Sequence, residues 1–231
     1  MEIIQKALGE GRHVLSEYES KLLLAQYGIP VTRETVVDDE TNLISVARDI
    51  GYPLVLKGCS SEISHKTETN VIRLDIRTDE EATTAFRQIK ANMNGRPGGV
   101  LVQEMVRGQR ELMAGLTRDP QFGPCVMFGL GGIFTEILKD VSFRLAPLKH
   151  LDALDMMQEI KGRKILEAIR GMEPADTDML AQVLIRLGDI GVENDPVKEI
   201  DINPLIIRGG KPVAVDALVV LRQSEASGGR T

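Results

Sequence analysis

The chain has 231 residues, 42% of them hydrophobic, which suffices for one good core or two small lobes. Its formal net charge of −6 argues against a general nucleic-acid or anionic-membrane role. No apolar run reaches membrane-spanning length, the N-terminus lacks a signal-peptide pattern, and Cys59 and Cys125 stand alone without metal-ligand spacing, so a soluble chain in a reducing cytoplasm is expected.

In chain order, Ser16-Glu17-Tyr18-Glu19 has the form of a capping box opening a helix, which Gly28-Ile29-Pro30 ends. A strand over 32–37, a helix over 41–50 and a strand over 54–57 follow. After the polar segment 58–70 come a strand over 71–76 and a helix over 79–92. Asn94-Gly95-Arg96-Pro97-Gly98-Gly99 is the best breaker cluster and the expected lobe boundary. The second lobe is expected to open with an apolar strand over 100–106. Strands over 111–117, 125–128, 133–138 and 142–145 come next. A helix over 152–170, broken or bent near Gly162, and one over 178–189 with Leu180, Val183, Leu184 and Leu187 on its stripe complete the set. Residues 223–231 are polar, Gly-rich and expected to be disordered. The order reads as a mixed α+β fold with antiparallel sheet in the second lobe.

The most telling segment is a hairpin near the C-terminus. Gly209-Gly210 suits a two-residue turn, because both residues accept positive φ. That turn pairs Arg208 with Lys211 and carries Asn203 opposite Asp216. Side chains alternate along a strand, so Glu199, Asp201 and Asn203 share one face and Ile200 and Ile202 the other. Oxygen-only donors of this kind suit a hard cation such as Mg2+, which keeps waters and binds phosphates. Pro204 lacks a ladder donor and leaves the register open to a shift.

Other residues carry two readings each. Lys57, ending an apolar strand, either snorkels to solvent or reaches into a cleft as a point charge for phosphate. Glu104 to Val106 end a strand at the expected hinge, where backbone groups can meet a purine, and Glu111 can accept ribose hydroxyls. Gly129-Leu130-Gly131-Gly132 is a plain turn or an anion nest. Arg144 is an anion contact or a salt-bridge partner. His65, in a polar loop, is a solvated side chain or a nucleophile competent near neutral pH.

Together these features resemble the ATP-grasp fold. The match is specific along Leu15-Ser16-Glu17-Tyr18-Glu19-Ser20-Lys21, Tyr27-Gly28-Ile29-Pro30-Val31 and Glu62-Ile63-Ser64-His65-Lys66-Thr67. It continues through Gly129-Leu130-Gly131-Gly132-Ile133-Phe134-Thr135-Glu136 and Phe143-Arg144-Leu145-Ala146-Pro147-Leu148. These resemble the β subunit of ADP-forming acyl-CoA (acetyl-CoA) synthetases, which is related to the succinyl-CoA synthetase β subunit. The resemblance implies an ATP-grasp domain over 14–222, with lobes over about 14–97 and about 98–222 and nucleotide bound between them. It also implies Mg2+ and ADP or ATP as cofactors, with a CoA-binding α subunit as partner in an α2β2 assembly.

By the same resemblance, Lys57 contacts phosphate, Glu104 and Val106 form the adenine hinge, and Glu111 binds ribose. Asn203 and Asp216 become the metal ligands. Asp201, Arg144 and His65 become the catalytic candidates: Asp201 facing an incoming phosphohistidine, and His65 as a second phosphate carrier. Where such relatives commonly have Gly-Gly after the His65 segment, this chain has Asn70-Val71. Two other readings stay open: a stand-alone carboxylate–amine ligase and a non-catalytic regulatory ATP-grasp module.

Overall fold

The computed structural model describes residues 2–61, 70–132, 140–168 and 171–222. Two antiparallel sheets organise them. The smaller contains β1 (Glu34–Val37), β2 (Leu54–Cys59), β3 (Ile72–Ile76) and β4 (Gly99–Glu104), in the order β1-β4-β2-β3. Helices α3 (Leu43–Ile50) and α4 (Asp79–Asn92) pack on it. Their Ala47, Ala82, Ala85, Phe86 and Ile89 meet Leu54, Leu56, Val100 and Val102 of the sheet in one core. The hydroxyl of Thr78 accepts from the N–H of Glu81 at 3.1 Å, and the acidic run 79–81 faces the positive end of the α4 dipole, so the helix starts where the sequence expects.

The larger sheet runs β10 (Ala217–Leu221), β8 (Val197–Arg208), β5 (Glu111–Asp119), β6 (Gly123–Leu130), β7 (Val141–Leu145), with β9 (Lys211–Ala214) also paired to β8. Behind it lie α5 (His150–Glu159) and α6 (Thr177–Glu193), separated by a 3-10 turn at Arg163–Leu166. Of the break or bend expected near Gly162, the structure has the break, between α5 and that turn. The stripe of α6 is buried as expected: Leu180, Val183, Leu184 and Leu187 pack on Leu116, Val126 and Ile200.

Two features overturn the expected lobe division. The 94–99 cluster is not the boundary, because β4 returns to the small sheet between β1 and β2. Gly98 and Gly99 serve close approach instead: a side chain at Gly99 would strike the Asp38 carboxylate at 2.7 Å and the Val37 carbonyl at 2.9 Å. The crossing to the large lobe falls after Glu104. Nor do the first 30 residues belong to the small lobe. Helix α1 (Glu2–Gly9) and α2 (Glu17–Gln26) bury Ile4, Ala7, Leu23 and Leu24 in the large core, and the flanking Leu15 and Ile29 join them. Each such leucine is worth roughly 1.5–3 kcal/mol of burial, which settles where α2 sits. The capping box forms as the sequence reads it. Ser16 Oγ accepts from Glu19 N at 3.3 Å, and Glu19 Oε2 accepts from Ser16 N at 2.8 Å.

Candidate functional site

Between the two sheets lies a cleft of about 490 Å³. The small lobe contributes Val55 and Lys57 from β2, Ile72 and Leu74 from β3, and Gln103, Met105 and Val106 at the end of β4. The large lobe contributes Pro204 and Ile206 from β8, with Val215 and Asp216 from the hairpin. The walls are mainly apolar, with a lysine facing a carboxylate-bearing edge. Leu74 is 64% exposed in this state, an apolar surface suited to cover by a flat base.

The hairpin register is the one read from the Gly-Gly turn. Arg208 pairs with Lys211 and Leu205 with Ala214, and the same register resumes at Ile202 with Ala217. Pro204 does not shift it, since the Val215 N–H still donates to the Pro204 carbonyl at 3.1 Å. Asn203 and Asp216 therefore occupy one rung. Asn203 is also tied to the Gly129–Gly132 segment, for its Oδ1 accepts from the Gly132 N–H at 3.5 Å. Ile200 and Ile202 point into the core, and Asp201 stays half-buried on the opposite face. Burial raises the Asp201 carboxyl, and the charges of Glu199 and Asp216 add to it, to about 6.

That charge distribution is a test of fit for the cation the sequence implies. Hard oxygen donors share a rung, and beside them Asp201 is raised by burial and by the charges of Glu199 and Asp216. Among the described residues no three His, Cys, Asp or Glu side chains cluster as a metal site. Mg2+ needs only one or two protein oxygens when phosphates and water complete its shell, so Asn203 and Asp216 fit it.

Lys57 does not snorkel. It is 5% exposed, its Nζ donates to Glu17 Oε1 at 2.7 Å and to the Val215 carbonyl at 3.3 Å, and it lines the cleft. Val106 reaches the cleft too, packed with Ile206 and Val213. The Glu104 side chain is committed elsewhere: it accepts from the Arg33 N–H at 3.0 Å and from Arg208 at 2.9 Å. Burial pushes that carboxyl up, but the Arg33 N–H and the Arg208 guanidinium outweigh it and hold it below the usual range. Glu104 thus ties the two strands that frame the hinge. Glu111 opens β5 beside Gly131, whose N–H donates to the Glu111 carbonyl at 2.9 Å, at the rim and not in the lining.

Arg144 is a correction. Paired residues share a face, and Arg144 pairs with Val126, which faces the same side as buried Leu116 and Ile200. That is the helix-packed side, away from Asp201. Both its terminal nitrogens meet the Glu159 carboxylate at the end of α5, one at 3.0 Å. The salt-bridge reading holds, and the structure does not bring Arg144 to the cleft. His65 lies outside the described residues. After that segment Asn70 takes the left-handed backbone at φ +55°, while Val71 is fully buried in the small core. The single positive φ falls on the residue that tolerates it.

Sequence reasoning missed a buried polar cluster behind Lys57. Lys21 is 1% exposed, and its Nζ donates to Glu17 Oε1 at 2.8 Å, Gln103 Oε1 at 3.2 Å and the Val215 carbonyl at 3.1 Å, besides an ion pair with Glu34. A Glu–x–x–x–Lys pair in the first turns of a helix reads as solvated, and the adjoining capping box drew attention away from it.

The two-lobed cleft, with its lysine, apolar walls and oxygen-bearing hairpin, defines a nucleotide-binding protein of the ATP-grasp class, and the ATP-grasp domain family model matches residues 6–221. A curated relative, the β subunit of ADP-forming acetate–CoA ligase I from Pyrococcus furiosus, is 45% identical over 95% of this chain and 97% of its own. Two structures of acetyl-coenzyme A synthetase 1 from Ca. Korarchaeum cryptofilum are 43% identical, over 96% of this chain and 99% of theirs. One, with coenzyme A and Ca-AMPCP, has a TM-score of 0.92. The other has a TM-score of 0.86; it holds coenzyme A and Mg-AMPPCP, with a phosphohistidine segment pointing towards the nucleotide site. The chain belongs to the β subunits of the ADP-forming acetate–CoA ligases, within the ATP-grasp family. No helix among the described residues is long and apolar enough to cross a membrane.

Proposed function

We propose that this chain moves a phosphoryl group between a phosphohistidine on a CoA-binding α subunit and ADP held in its interlobe cleft. The overall reaction is acyl-CoA + ADP + phosphate ⇌ carboxylic acid + CoA + ATP. In the chain's own half, the P–N bond of the phosphohistidine breaks, a P–O bond forms to the terminal oxygen of ADP, and neutral imidazole leaves. The observation that carries this reading is the cleft itself, with Lys57 on one wall and the Asn203–Asp216 rung on the other.

The base stacks against Ile72, Leu74, Val106 and Ile206, and the main chain after Glu104 supplies its polar edge. Glu111 accepts the ribose hydroxyls from the rim. Lys57 neutralises phosphate oxygens as a point charge. Asn203 and Asp216 hold the Mg2+ of the nucleotide, and when bound that ion neutralises and orients the phosphates. Asp201, beside them on the open face, accepts the N–H of the incoming imidazole and fixes its tautomer. His65 serves as a second carrier between partner and nucleotide. Arg144 has no part in this mechanism. The assembly is α2β2 in the cytoplasm, and the acyl group is selected on the partner.

The test is reconstitution. With the α subunit of the same source, Mg2+, ADP and phosphate, a panel of acyl-CoA thioesters should yield ATP. The β chain alone should yield none. ATP formation by the isolated chain would overturn the two-subunit reading. His65→Ala should stop ATP formation while the α subunit still forms its acyl phosphate; full activity would remove His65 from the relay.

A further inference from the structure

We propose that Glu17 is a positioning residue for Lys57, held in turn by Lys21; this rests on the reading that Lys57 meets the nucleotide phosphates. Glu17 is the first residue of α2, where a carboxylate ordinarily sits in water near the helix dipole. Here it is 4% exposed, and its Oε1 receives two ammonium groups, Lys21 Nζ at 2.8 Å and Lys57 Nζ at 2.7 Å. Burying a carboxylate is unfavourable unless it is paired, so its place among buried groups calls for a partner it must hold.

The cluster joins four elements. Glu17 and Lys21 come from α2, which is anchored in the large core through Leu23 and Leu24. Glu34 comes from β1, Lys57 from β2 and Gln103 from β4, all in the small sheet. Thr32 Oγ1 accepts from Lys21 at 3.3 Å, and the Val215 carbonyl, next to Asp216, accepts from both lysines. Lys21 divides its charge between Glu17 and Glu34, so Glu17 is not left to bind Lys57 alone.

A lysine has a flexible four-carbon stem, and an untethered Lys57 would spread its charge over several rotamers of the cleft. Glu17 sets where the ammonium stands before nucleotide arrives. Because Glu17 rides on a helix of the large lobe while Lys57 rides on a strand of the small one, the pair also fixes the lysine relative to the hairpin. A phosphate contact from β2 is thus aimed from the lobe that holds the metal rung.

A double-mutant cycle on the full chain tests this, with Mg-ADP affinity read by calorimetry and folding by circular dichroism. Glu17→Leu should weaken Mg-ADP binding about tenfold, as expected when a charge-assisted contact is lost. Lys57→Met should weaken it at least as much. In the Lys57→Met background, Glu17→Leu should have no further effect, because its action passes through Lys57. If Glu17→Leu alone does not fold, Glu17→Leu/Lys21→Met removes one charge of each sign and enters the same cycle. Equal losses from the Glu17 change in both backgrounds, or wild-type affinity without Glu17, would overturn the positioning role and leave the phosphate reading standing. Wild-type affinity in Lys57→Met would overturn both.

Discussion

On the β2 wall of the cleft, the Lys57 ammonium rests 2.7 Å from Glu17 in a cluster that also holds Lys21 and Glu34. On the β8 wall, Asp201 has Glu199 and Asp216 for charged neighbours, and its carboxyl is pushed up to about 6. The two walls therefore bury charge differently. One carries opposite charges already matched inside the protein, so its cation is placed before any ligand arrives. The other sets Asp201 among like charges, which with burial push its carboxyl up. A nucleotide with its Mg2+ needs both: a fixed positive point for phosphate, and an oxygen-bearing edge for the ion.

The largest effect should come from the acidic wall. Asp216→Ala should weaken Mg-dependent ADP binding by about 100-fold or more, the upper range for losses around a metal site. Calorimetry with and without Mg2+ checks it, and unchanged affinity would break the contrast between the walls. Next comes the apolar floor. Leu74→Asp should weaken ADP binding about tenfold or more, on the order of the 1.5–3 kcal/mol of one buried side chain, while Tm stays put because Leu74 is exposed in the free protein.

Glu19→Gln separates anchoring of α2 from the charge that α2 carries. It should cost about 1 kcal/mol at neutral pH through the lost charge facing Arg12, since glutamine can still accept from the Ser16 N–H, seen as a lower Tm. Burial raises the Glu19 carboxyl, but the bonds from Arg12 and Ser16 outweigh it and leave it below its ordinary value of 4.5. A depressed carboxyl contributes stability that is present above the unfolded value and lost as pH falls through the folded one. The variant should therefore lose most at neutral pH and converge on wild type in acid. Smallest is Arg144→Gln, expected to cost under about 1 kcal/mol as a surface pair and to leave ADP affinity unchanged. A large loss of affinity would return Arg144 to the cleft.

Several site elements were legible because their physics is local. Gly209-Gly210 determines the hairpin turn, the turn determines the rung of Asn203 and Asp216, and the alternation places Asp201 opposite Ile200 and Ile202. The capping box and the start of α4 are local in the same sense. What the sequence hides is long-range or depends on which side is covered. Membership of β4 in the small sheet rests on pairing with β1 and β2, not on the glycine cluster before it. The face of Arg144 cannot be read from alternation, because its apolar neighbours Phe143 and Leu145 are the exposed ones, at 47% and 52%. Glu17 and Lys21 carry the polarity of a solvated helix end and are buried only because two lobes close over them.

The path of the chain has one more consequence. It begins in the large lobe, leaves along β1, and comes back after β4, and Glu34 at the start of that excursion and Gln103, one residue before its end, are direct partners across an antiparallel ladder. Partners of this kind stand about 5 Å apart. The small lobe is thus a module spliced into a continuous host, its two ends already lying side by side. Replacing 35–102 with a tight turn should leave a shortened chain that still folds around the α1, α2 and α6 core. Such a host would keep the metal rung and lose the lysine.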